Sequence, residues 1–111
     1  MTTNATDSYV KICMNTWLVC EASVLHEKQK LFPRERLLLS CQTCASSCLS
    51  VVSLFMNNPL AGQRQVFDCF LRCRECYHEC RQHPDEDIRH CGNVCAHCAE
   101  LLKELFFIFP N

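Results

Sequence analysis

The chain has 111 residues, which suits a single domain with one core. Twelve residues are cysteine, above the rough 8–10% at which cysteine content becomes diagnostic, while 11 basic and 12 acidic residues leave no basic stripe for nucleic acid. Only two glycines and four prolines occur, which favours helices and disfavours zinc-knuckle folds and sheet-rich disulfide scaffolds.

Proline-containing breaks divide the chain into four segments with helical periodicity. The breaks are predicted at Pro33, at 57–62 and at 83–85, and the acidic residues from Asp85 to Asp87 suit a helix N-terminus. The helices between these breaks are predicted at roughly 6–30, 34–57, 61–82 and 86–108. Because the connections are short, neighbouring helices are expected to run antiparallel. The prediction is an all-α, up-down-up-down four-helix bundle that forms one domain over residues 1–111.

Each predicted helix places its cysteines on the same face as its hydrophobic residues, at about 100° per residue. In chain order, these faces are Val10, Cys13, Trp17, Cys20 and Val24; Leu37, Cys41, Cys44, Cys48, Val52 and Phe55; Val66, Cys69, Cys73, Cys76 and Cys80; and Cys91, Cys95, Cys98, Leu102, Leu105 and Phe109. All four rows of sulfur should therefore line one interior. The end near Pro33 and Pro84 should be rich in cysteine, and apolar side chains should plug the opposite end.

Counting outwards from the helix connections predicts which cysteines lie at the same level. The predicted pairs are Cys48–Cys69, Cys44–Cys73 and Cys41–Cys76 across the second and third helices, and Cys80–Cys91, Cys76–Cys95 and Cys73–Cys98 across the third and fourth. A rise of about 1.5 Å per residue separates successive levels by roughly 5 Å. The sulfur rows should therefore form a ladder along the bundle axis.

A core lined with thiols favours a soft metal ion. Thiolates select Cu(I), zinc and iron–sulfur clusters over hard cations, and bound metal neutralises thiolates that would otherwise be too costly to bury. With two or three sulfurs per Cu(I) and bridging thiolates, the chain could hold from about six to about twelve Cu(I) ions. The predicted ligands are Cys13, Cys20, Cys41, Cys44, Cys48, Cys69, Cys73, Cys76, Cys80, Cys91, Cys95 and Cys98.

The beginning of the chain predicts a cytoplasmic location. Residues Met1 to Ser8 lack the basic and apolar regions of a secretory signal, and no apolar run approaches the length of a membrane span. We therefore expect a cytoplasmic protein without membrane association. Cytosolic thiols are kept reduced, so this cysteine content indicates metal or redox chemistry rather than structural disulfides.

One long spacing pattern runs through the third and fourth helices. From Cys69 to Cys98 it reads Cys-x3-Cys-x2-Cys-x3-Cys-x10-Cys-x3-Cys-x2-Cys, with histidine in the ten-residue connection. It is preceded by Cys44-Ala-Ser-Ser-Cys48 and a loop of about twenty residues. Over roughly residues 37–100, the pattern resembles the cytosolic bacterial copper storage proteins, a family of cysteine-rich four-helix bundles that bind copper.

The resemblance implies storage of many Cu(I) ions on cysteine rows inside the bundle. It also implies a histidine-containing open end where the metal enters, and association into homo-oligomers. In this chain, the histidines at that end are His83 and His90, so ions should meet Cys80 and Cys91 first. The first helix offers only two cysteines, although it is usually cysteine-dense in this family. Copper binding is therefore expected mainly on the other three helices.

Three other interpretations of the cysteines remain open at this point. They are a disulfide-stapled helical module with a structural or redox-regulated binding role, a zinc or iron–sulfur protein, and cysteines that act only as small buried hydrophobic residues. No nucleophile–base pair, phosphate-binding loop or open-site metal triad is legible in the sequence. We therefore predict no enzymatic activity.

Overall fold

The computed structural model describes residues 5–57 and 63–108, which form four α-helices and contain no β-strand. Helix α1 spans Ala5–Lys28, α2 spans Glu35–Asn57, α3 spans Gln63–Cys80 and α4 spans Glu86–Ile108. The predicted all-α class with four helices is confirmed.

Helices α1 and α3 each end two residues earlier than predicted. Beyond α1, the N–H groups of Gln29 and Lys30 donate to carbonyls three residues back, at 3.3 and 3.1 Å. Beyond α3, the N–H groups of Gln82 and His83 do the same, at 3.2 and 3.1 Å. This tighter hydrogen-bond pattern closes both helices at the same end of the bundle.

The four helices pack in a ring. Helix α1 packs against α2 and α4, and α3 packs against the same two helices. The diagonal helices α2 and α4 meet across the centre through their sulfurs, with Sγ of Cys44 3.7 Å from Sγ of Cys95. Sulfur contacts pair Cys48 with Cys69 and Cys41 with Cys76, so residue numbers fall along α2 as they rise along α3. This register is consistent with the predicted up-down-up-down arrangement.

The buried face of α1 differs by one position from the predicted face. Tyr9 and Thr16 are buried, whereas Val10 and Trp17 are only half-buried and pack at the edge of the core. The Thr16 hydroxyl donates to the carbonyl of Ile12 at 2.7 Å, which satisfies the buried polar group. The predicted core positions of Val10 and Trp17 are therefore wrong in part. At the second of these positions, the seam between the sulfur rows takes the small side chain of Thr16 rather than the indole of Trp17.

Apolar side chains fill the end of the bundle that is remote from the α1–α2 and α3–α4 connections. The buried residues there are Val52, Phe55, Val66, Leu102 and Leu105. Tyr9 joins them through an edge-to-face contact with Phe55, with ring centroids 6.4 Å apart. These positions agree with the predicted apolar plug, of which Phe109 lies outside the described residues.

The composition of α2 corrects the expectation that no apolar run in the sequence approaches the length of a membrane span. Among the described helices, α2 is long and apolar enough to cross a membrane by length and composition alone. In the bundle, 44% of its most apolar stretch is buried. Its buried face carries Cys41, Cys44 and Cys48, which contact the other helices. A core helix of a bundle has the same composition, so this property alone does not indicate a membrane span.

Candidate metal centre

All twelve cysteines lie inside the bundle as unpaired thiols. Each is at most 1% exposed, so every sulfur row predicted from the sequence faces the interior. The rows come from all four helices, including α1 with Cys13 and Cys20. The core that a soluble helix bundle usually fills with leucine and isoleucine is here filled largely with sulfur.

The sulfurs of α2 and α3 meet at the predicted levels. The Sγ–Sγ distances are 3.6 Å for Cys44–Cys73, 3.7 Å for Cys48–Cys69 and 3.8 Å for Cys41–Cys76. Helix α1 closes the other side, because Cys20 lies 3.9 Å from Cys91 and 3.6 Å from Cys95. The twelve sulfurs therefore run in connected levels through the bundle. We call these twelve cysteines the thiol ladder.

Within the described part of the chain, the thiol ladder contains four groups whose sulfurs all lie within 4.8 Å of one another. The groups are Cys41, Cys76, Cys80 and Cys91; Cys20, Cys76, Cys91 and Cys95; Cys44, Cys48 and Cys73; and Cys13, Cys48 and Cys69. Cys76 and Cys91 belong to both four-membered groups, and Cys48 belongs to both three-membered groups. Shared sulfurs therefore link each group to another of the same size.

Cys98 lies outside these groups but inside the thiol ladder. It is fully buried, and hydrogen bonds with Cys13, Cys48, Cys69 and Cys73 lower the pKa of its thiol. These partners place Cys98 at the level of Cys73, as the spacing predicts.

The distances between the sulfurs suit soft metal ions. A tetrahedral site with metal–sulfur bonds of about 2.3 Å places its sulfurs roughly 3.8 Å apart. The shortest Sγ–Sγ contacts in the ladder are 3.6 to 4.0 Å, and all sulfurs within one group lie within 4.8 Å of one another. Thiolates also bind Cu(I) in preference to hard cations. The sulfur spacing in the ladder therefore suits soft metal ions.

Hydrogen bonds between the sulfurs shift the pKa values of the buried thiols in both directions. The pKa of Cys91 is lowered, first by its hydrogen bond with Cys20 and then by its other sulfur neighbours, which together outweigh burial. The pKa of Cys73 is raised, first by its bond with Cys44 and further by burial, and the pKa of Cys95 is raised first by its bond with Cys20. A buried thiolate is costly without a metal ion, and a soft cation that replaces the thiol protons removes this cost.

A group of charged residues joins the two connections at the cysteine-rich end. We call Glu27, Lys30, Arg34 and Asp85 the polar cap. Glu27 is 1% exposed, and its carboxylate accepts hydrogen bonds from the Arg34 guanidinium at 2.8 and 2.9 Å. Arg34 also donates to Asp85 at 2.9 and 3.1 Å, while Lys30 pairs with both carboxylates. The Arg34 hydrogen bonds lower the pKa of Glu27 to about 2 and hold the pKa of Asp85 below its usual range.

His83 contacts the polar cap and buried Glu79. Its Nδ1 lies 3.2 Å from Nη1 of Arg34, and its Nε2 lies 2.9 Å from Oε2 of Glu79. A guanidinium can only donate, so Nδ1 accepts and Nε2 carries the hydrogen that Glu79 receives. His83 therefore lies at the predicted end, three residues beyond Cys80, with its free lone pair occupied by Arg34.

His90 has different surroundings from His83. It is exposed and lines a groove of about 370 Å³ between α1 and α4, together with His26 and Asp87. Of the two histidines predicted at the point of metal access, His83 therefore contacts the polar cap and His90 lines the α1–α4 groove.

Gly92 allows a close approach of α3 and α4 beside the thiol group that contains Cys80 and Cys91. A Cβ atom on Gly92 would lie 2.8 Å from the Cβ of Cys80, closer than real side chains come. Sequence reasoning does not identify Gly92 or the polar cap as parts of the site. One signal for the polar cap exists, because Glu27 follows Cys20 and Val24 on the buried face of α1 and is therefore a charged residue at a core position.

Comparison with curated proteins and with solved structures gives no significant match. The family model described as copper storage protein matches residues 2–106, nearly the whole chain. The match agrees with the four helices and with the buried, clustered thiols. The chain therefore belongs to the copper storage protein family.

Proposed function

We propose that this protein binds and stores multiple Cu(I) ions on the cysteine thiolates inside the bundle, as a part of copper homeostasis or detoxification. The observation that carries the proposal is the linkage of the thiol groups through Cys48, Cys76 and Cys91. A site for one ion needs at most about four sulfurs, whereas this chain buries twelve. Membership of the copper storage family supports copper as the cargo.

Burial of the sulfurs favours storage over rapid exchange. Because each cysteine is at most 1% exposed, an ion deep in the ladder leaves only by passing from one thiolate to the next. Each Cu(I) replaces a thiol proton, so the cost of a buried anion is removed as the core fills. All twelve cysteines are proposed ligands, and Cys13 and Cys20 of α1 each belong to a thiol group.

Metal access is proposed at the end that carries the polar cap. His83 and His90 would offer the first ligands outside the core, and Cys80 and Cys91 would receive the ion. Support comes from position, because the group that contains Cys80 and Cys91 lies closest to the α3–α4 connection. Exchange through Cys76 would then carry ions deeper into the ladder.

We propose that the protein is non-enzymatic and cytoplasmic. Its proposed partners are copper ions and further copies of the chain, rather than nucleic acid or membranes. Reduced thiols suit the cytoplasm. Large apolar side chains on the outer surface support a homo-oligomer, since Leu18 is 55% exposed, Leu25 63% and Leu39 65%. Light scattering behind size-exclusion chromatography tests this, and a monomer at every concentration would contradict it.

Elemental analysis of protein purified from copper-supplemented cells tests the choice of metal. We expect several copper ions per chain and, after anaerobic removal of copper, close to twelve reactive thiols. Close to zero reactive thiols would instead support a disulfide-stapled module. Zinc or iron as the main metal would instead support a zinc or iron–sulfur protein.

A further inference from the structure

The two four-membered thiol groups share one edge. Cys76 and Cys91 belong to both groups, so six different sulfurs make two complete sets of four. The unshared members are Cys41 and Cys80 in one set and Cys20 and Cys95 in the other. The first pair lies nearer the helix connections, and the second pair lies deeper in the bundle.

Contacts within each set are close. Cys41 lies 3.8 Å from Cys76, and Cys80 lies 3.9 Å from Cys76. In the deeper set, Cys20 lies 3.9 Å from Cys91 and 3.6 Å from Cys95. These four contacts match the roughly 3.8 Å edge of a tetrahedron of sulfurs around one ion, and the remaining sulfur pairs of each set lie within 4.8 Å.

The two four-membered groups differ from the two three-membered groups in the number of sulfurs that they offer to one ion. Four thiolates form the closed tetrahedral site that zinc and cobalt adopt, whereas each three-membered group has three sulfurs within 4.8 Å of one another and Cys98 only beside it. We propose that the six cysteines also form a dinuclear site for divalent soft ions such as Zn²⁺ or Co²⁺, with Cys76 and Cys91 as bridging ligands. This goes beyond the storage of Cu(I), although it uses six of the same thiols in their reduced form.

Binding at this site is an exchange of protons for metal. Two divalent ions and six thiols give six metal-bound thiolates and release six protons, and no electron is transferred. The cluster keeps a net charge of −2, which burial opposes. Cu(I) neutralises thiolates one for one, so we expect Cu(I) to displace the divalent ions.

Anaerobic titration of the reduced full-length protein with Co²⁺ alone tests the proposal. Four-coordinate Co²⁺ thiolates absorb visible light, and bridging thiolates couple two Co²⁺ ions magnetically. We expect an end point of two Co²⁺ per chain, with a magnetic moment that falls as the second ion binds.

Three serine variants separate the roles of the sulfurs. Cys80→Ser removes a ligand from one set, Cys76→Ser removes one from both sets, and Cys69→Ser removes none. We expect Cys80→Ser to bind one Co²⁺ ion on four thiolates, Cys76→Ser to bind none and Cys69→Ser to bind two. Circular dichroism checks that each variant keeps its helices.

A wild-type end point other than two ions, or an equal loss of signal in Cys76→Ser and Cys80→Ser, would overturn the dinuclear site. A parallel titration with Cu(I) keeps this proposal separate from storage. Several bound Cu(I) ions without any Co²⁺ binding would remove the dinuclear site and leave the storage function intact.

Discussion

Nη1 of Arg34 lies 3.2 Å from Nδ1 of His83 at the end of the bundle where the four-membered thiol groups begin. The guanidinium donates this hydrogen bond, so the imidazole has no free lone pair for a metal ion. Contacts to Glu27 and Asp85 hold Arg34 in place. An ion that binds His83 must therefore displace Arg34 first.

Replacing His83 or His90 with alanine should slow Cu(I) loading and leave the final number of bound ions unchanged. In the proposed function, the thiols hold the cargo and the imidazoles supply ligands at the point of access. Stopped-flow mixing of reduced protein with a coloured Cu(I)–chelator complex measures the rate. His78→Ala is the control, since His78 is exposed. Unchanged rates in both variants would refute this end as the route of access.

Arg34→Ala should have the opposite effect in the same assay and speed loading several-fold, because the lone pair of His83 becomes free. Arg36→Ala is the matched control, since Arg36 is exposed two residues away. Both variants should be compared at a temperature at which their helicity equals that of the wild type. Equal loading rates for the two arginine variants would contradict a gating role for Arg34.

Gly92→Ala should push α3 and α4 apart beside Cys80. The added Cβ would lie 2.8 Å from the Cβ of Cys80, and overpacking of this kind costs about 1–3 kcal/mol. We expect a lower free energy of unfolding in urea and a lower Cu(I) capacity. Asn93→Ala is the control, because Asn93 is exposed on the same helix. If both variants were as stable as the wild type, the close approach at Gly92 would have no structural role.

Glu27→Gln should lower the stability of the apo protein at neutral pH. Hydrogen bonds from Arg34 lower the pKa of Glu27 from its unfolded value of 4.5 to about 2. At about 1.4 kcal/mol per pKa unit, this corresponds to about 3 kcal/mol. Because the folded pKa is the lower one, this stability is present above about pH 4.5 and is lost as the pH falls towards 2.

Urea unfolding measured between pH 2 and pH 7 tests this dependence on Glu27. We expect the variant to lose the part of the acid-dependent change in stability that Glu27 contributes and to keep the part due to Asp85, whose pKa Arg34 also lowers. Glu21→Gln is the control, because Glu21 is exposed on α1. Equal pH profiles for the two glutamine variants would contradict the role given to the polar cap.

Cys48→Ser should reduce Cu(I) capacity more than Cys98→Ser does. Cys48 belongs to both three-membered thiol groups, whereas Cys98 belongs to none of the four groups. Each variant removes one sulfur, so a count of thiols predicts equal losses. Equal capacities of the two variants would show that the groups do not govern loading.

Helical periodicity predicts most of the fold because cysteine and hydrophobic residues share one face in each segment. The levels of Cys48 with Cys69 and of Cys41 with Cys76 follow from counting, since a short connection fixes the register of neighbouring helices. Periodicity cannot decide between neighbouring positions such as Thr16 and Trp17, because both lie near the same face and the packing of side-chain volumes selects one.

The polar cap could not be predicted in the same way. Arg34 and Asp85 are 51 residues apart in the sequence, and their contact depends on the relative placement of two helix connections. The role of Gly92 depends on the distance between α3 and α4 at Cys80, which no spacing pattern contains. Contacts between turns therefore need the tertiary structure, whereas contacts between periodic faces do not.

Anaerobic titration of the fully reduced protein with Cu(I), in competition with a chelator of known affinity, tests the storage proposal most directly. We expect at least about six tightly bound Cu(I) ions per chain. An end point below about two ions per chain would contradict it.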